Sequence, residues 1–226
     1  MLVCCWSVKG GSGTSVAAAS LASVLANQNP NGALLVDLDG DGPAILGEPA
    51  GPPWPGVADW LRSGCGGPAD GLRRLERPVG PGFALLGRGT GAFESPDRWD
   101  LLATLLDGDE RPVVVDCGQV LDADGGLRPL VGELAARGVH SLLVVRPCYL
   151  ALRRLSVLPL RPSGVVLVAE VGRALGRADV ESVVGAPVVA ELPLDPAVAR
   201  CVDAGLLGHR LPRSMTKGLR PLVASL

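Results

Sequence analysis

The stretch that decides the fold is Lys9-Gly10-Gly11-Ser12-Gly13-Thr14-Ser15. It follows an apolar run over residues 2–8 and leads into an alanine-rich apolar stretch over residues 15–26. The order strand, glycine-rich turn, helix predicts a cradle for an anion. Glycines let successive backbone N–H groups face one ligand, and the N-terminus of a helix adds a partial positive charge.

Apolar runs of strand length recur along the chain, with helix-like patterns between them. The predicted strands are Leu2–Val8, Ala33–Asp37, Phe83–Leu86, Pro112–Asp116, Val139–Val145, Val165–Ala169 and Val188–Ala190. The predicted helices are Ser15–Ala26, Val57–Arg62, Pro96–Leu106, Gly126–Arg137, Tyr149–Leu158, Arg173–Val184, Pro196–Ala204 and roughly Ser214–Leu226. This alternation predicts an α/β fold with a mainly parallel central sheet flanked by helices on both faces. Ligands of such sheets bind at the carboxyl ends of the strands.

Composition limits the classes of protein to consider. A length of 226 residues predicts one domain, 1–226. There is no uninterrupted apolar run approaching about 18 residues and no basic stretch before the first strand, so we expect neither a membrane span nor a signal peptide. The six cysteines form no C-x-x-C pair and are expected to be reduced core thiols. A net charge of −2 argues against a broad nucleic-acid-binding surface. Residues 40–56 and 64–71 are rich in Gly and Pro and are predicted surface loops.

Three carboxylates end predicted strands. Asp37 and Asp39 follow the second strand, and Asp116 ends the run Val113-Val114-Val115. A carboxylate at a strand tip beside a phosphate loop can hold a metal ion and water, but it can also cap the following turn. Ser15 likewise allows two interpretations, a Mg²⁺ ligand or an ordinary residue of the first helical turn.

The lysine of an ordinary phosphate loop is missing. The general motif ends Gly-Lys-Ser/Thr, and here Thr14 occupies the lysine position. Lys9 stands at the front of the loop instead. It is one of only two lysines in the chain, with Lys217, among 21 basic residues.

Taken together, these motifs resemble the deviant Walker A loop of the MinD/ParA class of ATPases, the SIMIBI class. The resemblance covers nearly the whole chain and also includes Arg146-Pro147 after a strand and Leu192-Pro193-Leu194-Asp195 near the end. It implies ATP and Mg²⁺ as cofactors, with catalytic roles for Lys9 and Asp39. The implied nucleotide-binding residues are Gly10, Gly11, Ser12, Gly13, Thr14, Ser15, Pro147 and Pro193, and the implied magnesium ligands are Ser15, Asp39 and Asp116.

Two departures from that family bear on activity. Thr14 removes a positive charge from the phosphates, which predicts weak ATP binding and slow or lost hydrolysis. Ala169-Glu170-Val171 stands where the family often carries an Asn-Arg pair that reads adenine. In the family the front lysine, here Lys9, reaches the partner's nucleotide across a homodimer.

Val57-Ala58-Asp59-Trp60-Leu61 and the segment 82–89 resemble the TadZ/CpaE pilus-localising branch. The resemblance implies a cytoplasmic, dimeric positioning protein, polar or peripheral to the membrane. It would have a degenerate nucleotide site and a protein partner in an envelope or polar machine, such as a Flp pilus, a septum or a partition complex. The alternatives are a slow ATPase that switches dimerisation and a metabolic nucleotide-dependent enzyme. The basic tail around Arg213, Lys217 and Arg220 is a candidate contact for membrane or DNA.

Overall fold

The computed structural model describes residues 1–49, 51, 54–63, 69–93, 98–121 and 127–226. Within these ranges eight strands form one sheet: β1 (Leu2–Ser7), β2 (Ala33–Asp37), β3 (Arg77–Gly80), β4 (Phe83–Leu86), β5 (Val113–Gln119), β6 (His140–Val145), β7 (Gly164–Ala169) and β8 (Val188–Pro193). Their order is β3-β4-β2-β5-β1-β6-β7-β8, and all neighbours are parallel except β3 and β4. The predicted mainly parallel sheet is confirmed.

Strand β1 lies between β5 and β6, and all six of its residues are buried. Val3 pairs with Val114 on one side and with His140 on the other. The indole Nε1 of Trp6 donates a buried hydrogen bond of 2.9 Å to the hydroxyl of Ser141 on β6. Because parallel strands end at one edge of a sheet, the segments that follow β1, β2, β5, β6 and β7 all lie along the same edge.

Helices cover both faces of this sheet. They are α1 (Thr14–Gln28), α2 (Gly42–Ile45), α3 (Val57–Arg62), α4 (Ala69–Arg73), α5 (Trp99–Asp107), α6 (Arg128–Ala136), α7 (Tyr149–Leu155), α8 (Arg177–Val184), α9 (Pro196–Asp203) and α10 (Arg213–Val223). Apolar residues of α1, α2, α9 and α10 share one buried cluster with the sheet, and those of α3 to α8 share the other. The predicted two-sided helical cover is therefore confirmed.

Helix α1 carries the loop of residues 9–15 against the sheet. Its alanines 17, 18, 19 and 22 are buried, and their small side chains let the helix backbone approach the strands closely. The helix begins directly after Gly13, whose φ of 86° lies in the left-handed region that glycine tolerates. Helix α1 thus fixes both the position and the direction of the loop.

The structure corrects some predicted boundaries. Strand β3 was not expected, because Arg77-Pro78-Val79-Gly80 has no apolar run and proline is confined to edge strands. Helix α2 lies inside the predicted loop 40–56 and begins with a proline in its first turn, and α4 overlaps the end of the predicted loop 64–71. The predicted helix from Arg173 begins only at Arg177, after Gly176. Residues 96–97 and 126 of two predicted helices, and 64–68 of the predicted loop, lie outside the described residues.

Cys4, Cys5 and Cys117 are free and buried, as expected for core thiols, while Cys148 and Cys201 are free and half-buried. Burial raises the pKa of the Cys5 thiol well above its ordinary value, so this thiol stays protonated and unreactive. Cys65 lies outside the described residues. Among the described residues, no helix combines the length and the apolar character that a membrane-spanning segment needs.

Candidate functional site

The shape of the loop after β1 is set by a side-chain hydrogen bond within the loop and by two glycines in the left-handed conformation. Gly11 and Gly13 have φ angles of 73° and 86°. The Ser12 hydroxyl donates to the Lys9 carbonyl at 2.7 Å, which closes the turn from inside. Within the described part of the chain, the backbone N–H groups of Gly10, Gly11 and Gly13 donate no hydrogen bond. These free donors beside a helix N-terminus are the elements of an anion cradle.

Thr14 is the first residue of α1 and is buried, with 6% of its surface exposed. Its short, neutral side chain brings no positive charge into the cradle. The first turn of α1 also contains no acidic residue, so no carboxylate of the helix itself competes with an anion for the N-terminus.

Carboxylates converge on one side of this loop. Asp37 and Asp116 pair in register on β2 and β5, so both side chains stand at the carboxyl edge of the sheet. Burial raises the pKa of Asp116 to about 7; the Ser15 hydroxyl and the Gly118 N–H lower it, and the charges of Asp37 and Asp39 raise it again. A buried carboxylate beside other carboxylates is a place where a cation is favoured.

The two paired carboxylates differ in how their oxygens are used. Asp37 accepts backbone hydrogen bonds from Asp39 at 3.1 Å and from Gly40 and Gly42 at 2.8 Å each. Both of its oxygens are engaged, so Asp37 caps the turn after β2. Among the residues that the structure describes, Asp116 accepts one such bond, from the Gly118 N–H at 2.9 Å, through Oδ1. Of the two interpretations left open by the sequence, turn capping applies to Asp37, while Asp116 keeps an oxygen for another ligand.

Asp39 is exposed and lies against the backbone of Gly118, where a Cβ atom would collide with its carboxylate. Partial desolvation and the charge of Asp41 raise the pKa of Asp39. The Arg88 guanidinium and the Ser15 hydroxyl lower it. Arg88 is positioned by a 2.7 Å hydrogen bond from its Nη1 to the carbonyl of Leu38.

The Ser15 hydroxyl, Asp39 and Asp116 suit Mg²⁺. Ser15 lies close enough to both carboxylates to lower the pKa of each. Among the described residues, no three His, Cys, Asp or Glu side chains could hold a metal ion by themselves. Magnesium does not need such a cage, because it binds through one or two carboxylates together with waters and phosphate oxygens. The donor set therefore fits Mg²⁺ that arrives with a phosphate ligand.

An apolar groove of about 270 Å³ begins at the other end of the loop, beside Gly13. Its walls include Val16, Val168 and Pro193, from α1, β7 and β8. Asp195 at its rim is already engaged: Oδ1 accepts from the Ala197 N–H at 2.8 Å and Oδ2 from the Ser214 hydroxyl at 2.7 Å. The groove can therefore hold a flat apolar group by contact rather than through a free carboxylate.

Basic residues gather on the side of the loop opposite the carboxylates. Lys9 and Ser12 line a cavity of about 100 Å³ together with Arg146, Cys148 and Arg173. The Lys9 ammonium donates to the Gly10 carbonyl at 3.2 Å. We call Lys9, Arg146 and Arg173 the basic cluster.

The structure brings together most of the residues predicted for the site. Asp39 and Asp116 lie beside the loop of residues 9–15, and Pro193 lines the groove next to it. Pro147 is buried between β6 and α7 and lines none of the cavities described above. Sequence reasoning missed Arg88, Arg146, Glu170 and Arg173 as parts of the site. The available signal for Arg146 was its place directly after a strand that neighbours β1.

Neither a protein-family model nor a curated protein sequence matches the chain. Solved structures do. A ParA family ATPase from Chlorobium tepidum superposes with a TM-score of 0.75 at 20% identity, covering 99% of each chain. The septum site-determining protein MinD from Pyrococcus horikoshii, complexed with Mg-ADP, has a TM-score of 0.72 at 18% identity over 100% of this chain and 96% of that one.

A third similar structure is a complex of McdA with ATP from Cyanothece. It has a TM-score of 0.68 at 12% identity and covers 98% of this chain and 96% of its own. All three structures superpose on this chain over almost its full length, although their sequence identity to it is low. The chain has the α/β fold of the ParA and MinD nucleotide-binding ATPases.

Proposed function

We propose that the chain binds a nucleoside triphosphate with Mg²⁺ at residues 9–15 and acts as a MinD/ParA-like positioning protein with a degenerate nucleotide site. The observation that carries this proposal is the convergence of Ser15, Asp39 and Asp116 beside an open cradle of free backbone donors. A fold kept without its ligand has no evident need for a buried, partly unpaired carboxylate at this edge.

Each residue of the site has a defined task under this proposal. The N–H groups of Gly10, Gly11 and Gly13 hold phosphate oxygens, Ser15 and Asp116 hold Mg²⁺, and the groove beside Gly13 takes the base. Asp39 orients a water molecule near the last phosphate. Bound Mg²⁺ would supply charge neutralisation for the phosphates. With Thr14 in place of lysine, that neutralisation is incomplete, so we expect little or no hydrolysis.

Titration calorimetry with ATP, ADP and Mg²⁺ on the wild type and Thr14→Lys tests the proposal. One charge-assisted hydrogen bond is worth about 1.5–3 kcal/mol, so Thr14→Lys should tighten ATP binding by roughly 10- to 100-fold. Thr14→Met, long but neutral, is the control and should not. If neither the wild type nor Thr14→Lys binds nucleotide, the proposal is wrong. If the wild type already binds ATP at micromolar concentration and hydrolyses it, the slow-ATPase alternative replaces the degenerate site.

A homodimer is part of this proposal. Lys9 stands at the edge of the sheet with only the carbonyl of Gly10 as an acceptor in the described part of the chain. Large apolar side chains on the same edge are exposed: Tyr149 to 73% and Val171 fully, with Leu150 beside them. Light scattering should show a dimer that ATP and Mg²⁺ favour, and Lys9→Ala should weaken it. A monomer under both conditions would remove the role of Lys9 across an interface.

We propose further that the chain acts in the manner of the pilus-localising branch and binds a protein partner in the cell envelope. Asp59, which suggested that branch, accepts hydrogen bonds from the N–H groups of Gly56 and Thr90 at 2.9 Å each. It thereby ties the start of α3 to the loop after β4, which is a structural task. A fluorescent fusion should gather at the cell pole in the cytoplasm and co-localise with the pilus machine. Diffuse fluorescence in cells that assemble pili would contradict this.

The basic tail supports contact with a polyanion rather than insertion into lipid. Met215, Leu219 and Leu222 of α10 are buried, and Gly218 packs against the carbonyl of Glu191 on β8. The apolar face of α10 therefore packs inside the fold, and the face that carries Lys217 is exposed to solvent. The metabolic-enzyme alternative gains no support from His140, which begins β6 at the opposite edge of the sheet.

A further inference from the structure

The basic cluster is assembled by the register of the sheet. Trp6 of β1 pairs with Leu143 of β6. Lys9 lies three residues after Trp6, and Arg146 lies three residues after Leu143. Arg173 comes from the segment after β7, the next strand. All three face the cavity of about 100 Å³ that Ser12 of the loop also lines. Three cations from three separate segments thus meet at the front of the anion cradle.

One carboxylate holds the two arginines in place. Glu170 Oε2 accepts from Arg146 Nη2 at 2.8 Å and Nε at 3.1 Å, and from Arg173 Nε at 2.6 Å. Arg146 first, and then Arg173, lower the pKa of Glu170, which is therefore ionised at neutral pH. The cluster keeps a net charge of about +2, because one carboxylate faces three cations. Each guanidinium has five N–H donors, so each keeps donors for another anion.

We propose that Arg146 and Arg173 replace the positive charge that the loop lacks at Thr14, and that they bind the terminal phosphate of a polyphosphate chain seated in the loop. This inference rests on the proposed nucleotide function for the identity of the ligand. The cluster itself requires only a polyphosphate anion.

The position of the cluster indicates which phosphate it binds. The apolar groove begins at Gly13 and Val16, at the helix end of the loop, and shares no lining residue with the cavity of the basic cluster. A nucleotide with its base in the groove runs its phosphates along the loop toward Lys9. The arginines therefore contact the last phosphate and should separate a triphosphate from a diphosphate.

A purely structural role explains the cluster less well. The side chains of Arg146, Arg173 and Glu170 are 35%, 43% and 28% exposed. Ion pairs at this level of exposure contribute little to folding, because water and salt screen them and ordering the long side chains costs entropy. Two arginines on one oxygen of a single carboxylate also leave an excess of positive charge, which an anion would relieve.

The test is equilibrium binding of ATP, ADP and inorganic tripolyphosphate to the full chain. The variants are Arg146→Gln, Arg173→Gln and Glu170→Gln, with Arg161→Gln as the control. Arg161 is exposed, lies before β7 at the opposite edge of the sheet, and changes the net charge equally. Arg146→Gln and Arg173→Gln should each lose roughly tenfold or more in affinity for ATP and tripolyphosphate, but about twofold or less for ADP. Arg161→Gln should match the wild type.

Glu170→Gln distinguishes an anion site from a structural ion pair. Removal of the carboxylate frees both guanidiniums, so affinity for tripolyphosphate should rise, whereas a structural network would show only reduced thermal stability. Arg173→Lys should restore part of the affinity lost in Arg173→Gln, because the charge returns without the guanidinium fork. Thermal melting of each variant checks that a loss of binding is not a loss of folding.

The outcomes separate this inference from the proposed function. Wild-type affinities retained in Arg146→Gln and Arg173→Gln would overturn the inference and leave nucleotide binding intact. Equal losses for ATP and ADP would also overturn it. Binding of tripolyphosphate but no nucleotide, with losses in the arginine variants, would support the cluster and contradict the proposed function. Failure of the wild type to bind any of the three would overturn both.

Discussion

The two sides of the loop at residues 9–15 differ in charge and in construction. On the β5 side, Asp39 and Asp116 stand beside Ser15, and burial with like charges raises the pKa of both carboxyls. On the β6 side, Lys9, Arg146 and Arg173 line a small cavity, and Glu170 pairs with the two arginines. The acidic side has the donors that Mg²⁺ takes, and the basic side has those that a phosphate takes. The comparison teaches that the acidic residues expected to hold a metal ion are present although Thr14 stands in the lysine position, and that the nearby cations lie at the front of the loop and on the segments after β6 and β7.

The largest expected effect is on the acidic side. Asp116→Asn should reduce ATP affinity in Mg²⁺ by roughly 10- to 100-fold, because the proposed charged ligand of the ion is lost. In EDTA the variant and the wild type should bind alike. Folding should not suffer, since burial already penalises the charged form of Asp116 and raises its pKa to about 7. Calorimetry in both buffers checks this, and an equal loss in EDTA would show that Asp116 does not act through the metal.

Gly118→Ala should damage the same side through geometry. The φ angle of Gly118 is 53°, and a Cβ there would collide with the carboxylate of Asp39. We expect a loss of about 1–2 kcal/mol in the free energy of unfolding together with weaker Mg²⁺-dependent binding. Gly138→Ala is the matched control, with φ of 76° and open space around its Cβ. Urea unfolding should show the strain in both variants, and only Gly118→Ala should lose binding.

A double-mutant cycle connects the loop with the basic side. If Arg146 supplies charge that Thr14 lacks, Arg146→Gln should cost less ATP affinity in a Thr14→Lys background than in the wild type. Residues that serve one ligand commonly couple by about 1 kcal/mol. Calorimetry on the four proteins gives the coupling energy. Strict additivity would mean that the two positions do not serve the same phosphate.

The smallest expected effect concerns Asp59, whose pKa shifts in the direction opposite to that of Asp116. Burial raises its pKa, but hydrogen bonds from Thr90, Gly56 and Arg62 outweigh this and lower it to about 2. Asp59→Asn should reduce the free energy of unfolding by about 1 kcal/mol at pH 7, after allowance for solvent screening. Since the folded pKa is the lower one, the stabilisation is complete above about pH 4 and disappears as the pH falls toward about 2. Denaturant unfolding should show a clearly smaller difference between the variant and the wild type at about pH 2.5 than at pH 7.

The sequence predicted the sheet where burial is two-sided, as in β1, β5 and β6, because such strands are continuous apolar runs. It missed β3, since Pro78 and Gly80 are turn residues elsewhere and become a strand only through pairing with β4. Helix α2 was missed because its Gly-Pro start reads as a loop.

The candidate site was predictable where its residues are adjacent in sequence or end a predicted strand. Residues 9–15 and Asp116 meet that condition, and their catalytic and binding roles stay predictions. Arg146 directly follows a predicted strand, whereas Arg173 lies four residues beyond one. The approach of both arginines to Lys9 depends on the register of β1, β6 and β7. No local pattern encodes that register. Asp37 could not be assigned from the sequence either, since its role as a cap depends on the turn back to Gly42.

The central place of β1 has a consequence for how the chain folds. The bond from Trp6 to Ser141 spans 135 residues, and the contact between Cys4 and Cys117 spans 113. During synthesis, this strand leaves the ribosome long before either of its neighbouring strands exists, so its backbone has no strand partner until then. Pairings of such long range slow folding and expose unpaired strands to aggregation. Refolding of the full chain should therefore be slow. The segments that flank the loop at residues 9–15 should come together around it only in the last stage of folding.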